Sequence, residues 1–103
     1  MNKSKEELKS IIRKNICSER VAHLTKALVD LRSDAPPGNE YEASMYLYKA
    51  FKALGLEAEL QKVAENRFNV IARLKGSGKK QTTLLYSGHI DVVPAGNESL
   101  WDT

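Results

Sequence analysis

The chain has 103 residues, with 16 Lys and Arg against 13 Asp and Glu and a single cysteine. That length holds one modest core and excludes a second domain, and one cysteine excludes an internal disulfide. The net charge of +3 comes from basic residues interleaved with acids, which is not the basic stripe a nucleic-acid partner requires.

No apolar run approaches membrane-spanning length. The residues after Met1, Asn-Lys-Ser-Lys-Glu-Glu, contain no apolar core of a secretory signal. The expectation is a cytoplasmic chain without membrane or nucleic-acid partners.

Ser4-Lys5-Glu6-Glu7 has the capping-box pattern, and Leu8, Ile11 and Ile12 follow at helical spacing. This predicts a helix over about Lys5–Lys14. Asn15–Cys17 reads as a break or a weak turn. A second helix begins near Ser18, with Val21, Leu24, Leu28 and Leu31 as its apolar stripe. His23 falls off the stripe and reads as a solvated histidine. Cys17 reads as a small, partly buried residue. Ser33–Gly38 contains two prolines and a glycine and is a loop. Asn39 is placed to cap a third helix, with Glu40 and Glu42 favourable to its dipole. Ala43, Leu47, Ala50, Phe51 and Leu54 form its predicted buried face, and Gly55 its left-handed stop, with Leu56 folding back.

Beyond Leu56 the period changes from 3.6 to 2. Glu57–Gln61 alternates as a half-exposed strand, Asn66–Arg67 is a turn, and Asn69–Leu74 is a strand rich in β-branched residues. The link Gly76-Ser77-Gly78-Lys79-Lys80 then leads to an apolar run, Thr82–Tyr86, read as a third strand in an antiparallel hairpin with the second. The link is no phosphate loop: Arg73 stands where the first glycine is needed, and Lys80 where the Ser or Thr is needed. No Gly-x-Ser-x-Gly elbow surrounds Ser87, so that serine carries no nucleophile signature. The match Asn97-Glu98-Ser99 to a glycosylation acceptor has no meaning without a secretory context.

The chemistry concentrates in Leu84–Pro94. His89 and Asp91 stand two positions apart, which in an extended chain places both on one face. They sit at the carboxyl end of a predicted strand, where active sites of open α/β sheets lie. A neutral imidazole can bind a borderline-soft cation through one ring nitrogen while a carboxylate holds the proton on the other. A half-buried salt bridge at a strand end would have the same spacing.

Ser87-Gly88-His89-Ile90-Asp91-Val92-Val93-Pro94-Ala95-Gly96, followed by Trp101, resembles the first metal motif of the M20 metallopeptidases. These include acetylornithine deacetylases, succinyl-diaminopimelate desuccinylases, aminoacylases and glutamate carboxypeptidases. Pro36-Pro37-Gly38-Asn39-Glu40 and Asn69-Val70-Ile71-Ala72-Arg73 are similar to further stretches of that family, in the same order. The resemblance runs from about Val21 to the end. It implies an α/β fold, part of a zinc-exopeptidase-like catalytic domain with helices packed on a mixed sheet. It implies His89 as ligand to one of two zinc ions, or cobalt in their place, with Asp91 orienting its imidazole. It also implies that the bridging Asp, a Glu-Glu pair, a later acidic ligand and a distal His lie beyond Thr103. The expectation is therefore that residues 1–103 form the truncated amino-terminal part of one catalytic domain, inactive alone.

The parent implied by the resemblance is a zinc-dependent amidohydrolase acting on N-acyl amino acids or small peptides, with homodimerisation through a domain outside residues 1–103. The alternatives are a dipeptidase or carboxypeptidase of the same family, or a non-catalytic α/β remnant that serves as an interaction module.

Overall fold

A computed structural model describes residues 2–80 and 82–102. The chain divides into two units, Met1–Asp30 and Leu31–Thr103.

The first unit holds α1 (Lys5–Asn15) and α2 (Ser18–Asp30). The capping box is formed: Ser4 Oγ accepts from the Glu7 amide at 3.1 Å, and Glu7 Oε2 accepts from the Ser4 amide at 2.8 Å. Glu6 and Glu7 in the first turn and Arg13 and Lys14 in the last oppose the helix dipole at both ends. Of the two readings of Asn15–Cys17, the structure has the break, with Ile16 extended after α1. Neither helix has a buried residue, and Cys17 is exposed rather than partly buried.

The second unit contains α3 (Tyr41–Ala53), β1 (Glu57–Ala64) and β2 (Arg67–Arg73). β1 and β2 pair antiparallel, in a register that sets Ala58 opposite Ala72, Leu60 opposite Val70 and Lys62 opposite Phe68. Ala58, Leu60, Phe68, Val70 and Ala72 are half-buried while Glu57, Glu59, Gln61 and Asn69 are exposed, so the alternation over Glu57–Gln61 agrees with the pairing, whereas in β2 Arg67 and Ile71 are half-buried as well. The turn between them is tight, with Asn66 at φ 57°, a left-handed conformation that asparagine tolerates better than most residues.

The helix α3 packs on both strands. Ala43 and Ser44, 2 % and 0 % exposed, are its most deeply buried residues. Ser44 Oγ donates to the Phe68 carbonyl at 2.9 Å, the Tyr41 amide donates to the Asn66 carbonyl at 3.2 Å, and the Tyr41 and Phe68 rings lie 5.4 Å apart. The hairpin thus satisfies an amide in the first turn of the helix that would otherwise lack an intrahelical partner. At the other end Gly55 takes φ +80°, its amide bonds to the Lys52 carbonyl, and the Leu56 amide bonds to that of Phe51, the expected glycine stop. The predicted buried face is partly correct: Leu47, Ala50 and Phe51 are half-buried, whereas Leu54 at the end of the helix is exposed.

The α/β class and an antiparallel hairpin are present, and four expectations are corrected. The hairpin joins β1 to β2 through Glu65–Asn66, not Asn69–Leu74 to Thr82–Tyr86. The two-residue turn closes it locally, whereas the glycine-containing link is longer and exposed. Thr82–Tyr86 belongs to no strand, and Leu84, Leu85 and Tyr86 are 75 %, 82 % and 86 % exposed. An apolar run becomes a strand only where another backbone pairs with it. The sheet among the described residues is therefore two-stranded and antiparallel rather than mixed, and the parallel pairing seen there is an isolated bridge, Asp34 to Val92. Finally, the N-cap of α3 is Glu40, not Asn39, and makes no side-chain cap bond.

Candidate functional site

His89 and Asp91 lie on the segment that carries the parallel bridge. The His89 Nδ1 is 2.8 Å from the Asp91 backbone carbonyl and 3.2 Å from Asp91 Oδ1. Both neighbours are acceptors, so in the neutral ring Nδ1 carries the proton and Nε2 presents a free lone pair. The imidazole is 84 % exposed and the carboxylate 43 %, leaving Nε2 open to an incoming group. The spacing prompts an expectation of the carboxylate alone as the orienting group, but the nearer acceptor is the main-chain carbonyl of the same residue.

This segment is held by the loop that follows Asp30. The Val92 amide donates to the Ser33 carbonyl at 3.1 Å, and the Ala35 amide to the Val92 carbonyl at 2.8 Å. The Ser33 hydroxyl donates to the Ile90 carbonyl at 2.7 Å. Ser33 is 4 % exposed.

A few residues further on, Glu40 is also 4 % exposed. Its carboxylate receives two near-parallel bonds from Arg67, Nη2 to Oε1 at 2.7 Å and Nε to Oε2 at 3.1 Å, the two-pronged geometry that guanidinium favours. These bonds are the main reason the Glu40 carboxyl is held below the usual carboxylate range, against the opposing effect of its burial. The same pairing raises the Arg67 pKa. The negative charge of Asp91 acts on both members, pushing each pKa upward. Gly38 makes room for this pair: a β-carbon there would stand 2.5 Å from Arg67 Nε.

The geometry therefore brings together His89 and Asp91, adds the Ser33 hydroxyl on the Ile90 carbonyl between them, and couples the Glu40–Arg67 pair to the charge of Asp91. Reading the helix dipole at Glu40 missed its ion pair, since no periodicity connects residues 27 positions apart. Among the described residues no three His, Cys, Asp or Glu side chains cluster as a metal site. The fit to a metal is thus that of a single oriented imidazole, one donor of the three that a catalytic zinc takes from protein.

Comparison with curated proteins finds relatives by sequence. A probable succinyl-diaminopimelate desuccinylase of Staphylococcus aureus strain Mu50 is 35 % identical over 74 residues, covering 72 % of this chain and 17 % of that protein. An N-formyl-4-amino-5-aminomethyl-2-methylpyrimidine deformylase of Halalkalibacterium halodurans is 32 % identical over 100 residues, 95 % of this chain and 23 % of that one. A succinyl-diaminopimelate desuccinylase of Rickettsia typhi is 30 % identical over 80 residues, 77 % of this chain and 20 % of its own length.

The chain is a relative of the M20 hydrolases. It spans about a fifth of the length of the curated M20 relatives it matches. No family model matches the chain, and no solved structure does. The M20 relationship thus stands on aligned sequence, and the α/β fold on the chain's own structure.

Proposed function

We infer that this chain supplies one metal-ligating imidazole to a hydrolase of the M20 type that cleaves amide bonds of N-acyl amino acids. The observation that carries this reading is the tautomer imposed on His89. With Nδ1 tied to both Asp91 acceptors, Nε2 is the nitrogen left for a cation. Borderline-soft zinc suits a neutral imidazole, and cobalt is the substitute with similar preferences. Such a metal, when bound, supplies Lewis acidity toward the amide carbonyl and lowers the pKa of water. The chain's own residues fix the orientation of the ring. The remaining ligands and the general base come from outside residues 1–103. The relatives named as desuccinylases and a deformylase support removal of an acyl group from nitrogen as the reaction.

The test uses a chimera in which residues 1–103 replace the aligned segment of the Halalkalibacterium deformylase. A folded chimera should carry metal and hydrolyse the deformylase substrate. His89→Ala should lose one metal equivalent and all activity. A folded His89→Ala chimera with its full metal content would refute the assignment.

A further inference from the structure

We propose that Ser33 is a positioning residue for the His89–Asp91 pair, its hydroxyl fixing the peptide between them so that both Asp91 acceptors face His89 Nδ1. The proposal rests on the reading of His89 as a ligand only in giving that positioning a purpose.

In a parallel ladder the rungs around one residue alternate between accepting and donating. Here the Val92 amide bonds to the Ser33 carbonyl and the Ala35 amide to the Val92 carbonyl. Continuing this register by one rung sets the amide of residue 33 opposite the Ile90 carbonyl. At that place the Ser33 hydroxyl makes the bond, at 2.7 Å. The ladder is extended by a side chain, and the rung it adds lies between His89 and Asp91.

The Ile90 carbonyl belongs to the peptide whose other end is the Asp91 amide. Holding that oxygen sets the rotation of the peptide plane, and so the direction from which the Asp91 main chain and side chain approach the imidazole. This constraint matters because the ring itself has few others: His89 is 84 % exposed, and Gly88 on its amino side adds no side-chain packing. The bond to the Ile90 carbonyl is worth forming, since leaving the Ser33 hydroxyl unpaired in a 4 % exposed position carries a desolvation cost. Valine at this position keeps the shape of threonine and removes the donor. Threonine keeps the donor.

The experiment reads the imidazole nitrogen-15 shifts of the metal-free 103-residue chain, at a pH where His89 is neutral. Native chain and Ser33→Thr should show the single Nδ1–H pattern. Ser33→Val should lose it and show a mixture of the two tautomers. A folded Ser33→Val chain that keeps the single pattern overturns the proposal, whatever its loss of stability. Should Ser33→Val fail to fold, the native chain still decides. A slowly exchanging Ser33 hydroxyl proton, with cross-peaks to Ile90 or Asp91, supports the proposal, and its absence overturns it. No metal is present in either measurement, so a failed metal reading and a failed positioning role give separate results.

Discussion

Replacing Gly38 by alanine should disrupt the Glu40–Arg67 pair from outside it. The backbone at Gly38 has φ +85°, where an L-residue costs roughly 1–2 kcal/mol. The added methyl carbon would also stand 2.5, 2.7 and 2.8 Å from Arg67 Nε, Cζ and Cδ, all closer than non-bonded carbon contacts allow. The guanidinium is the softer side of that clash and would have to retreat by about 1 Å to reach ordinary contact. From starting distances of 2.7 and 3.1 Å, such a shift takes both bonds to Glu40 beyond hydrogen-bonding range. A buried carboxylate then loses its partner, which adds to the backbone strain.

Urea unfolding followed by circular dichroism near neutral pH measures the sum. The same substitution in an Arg67→Ala chain meets no guanidinium, so only the backbone cost of about 1–2 kcal/mol should remain there. Equal losses in the two backgrounds would refute the claim that Gly38 is there to accommodate Arg67.

Acidification should act through Glu40. Its folded pKa lies below the ordinary 4.5, with the Arg67 hydrogen bond as the largest cause. A depressed folded pKa contributes stability that is complete above the unfolded value and is lost as pH falls through the folded one. The urea midpoint should therefore drop below about pH 4.5. In Arg67→Ala, burial is left as the largest influence on Glu40 and raises its pKa, so this contribution should change sign. An unchanged acid limb in that variant would count against the pair. Association is expected through the run Leu84-Leu85-Tyr86, at least 75 % exposed throughout. Sedimentation velocity should show concentration-dependent species that Leu85→Lys reduces. A native chain that stays monomeric at high concentration would rule this out.

The helices were legible because their signals are local. The Ser4–Glu7 capping box, the break at Asn15–Cys17 and the stop at Gly55 each lie within a few residues of the structure they specify. Strand existence was legible at Glu57–Gln61 from alternation and at Asn69–Leu74 from β-branched composition, but pairing was not. Thr82–Tyr86 has the composition of a strand, yet a strand depends on a neighbouring backbone, which composition does not describe. The His89–Asp91 proximity followed from spacing alone. Glu40 illustrates the opposite case: its position before α3 suggested a charge for the helix dipole, and its partner arrives only when the β1–β2 turn brings Arg67 across. Ser33 gave no signal at all, because its acceptor is a main-chain carbonyl.

The bridge between Asp34 and Val92 has a consequence for the order in which the second unit assembles. The Ser44–Phe68 bond joins residues 24 positions apart, and the Ser33–Ile90 bond residues 57 apart. A little more than one doubling of loop length adds under about 1 kcal/mol of closure entropy, so distance alone is a small handicap. The larger difference is in what each closure gains. α3 and the hairpin close over a paired ladder and a packed helix face, whereas the outer loop closes over two amide bonds and one hydroxyl. The segment bearing His89 therefore docks last on a framework already folded, and it is the first to open. Amide exchange at Val92 should report this opening at a lower free energy than exchange within β1 and β2.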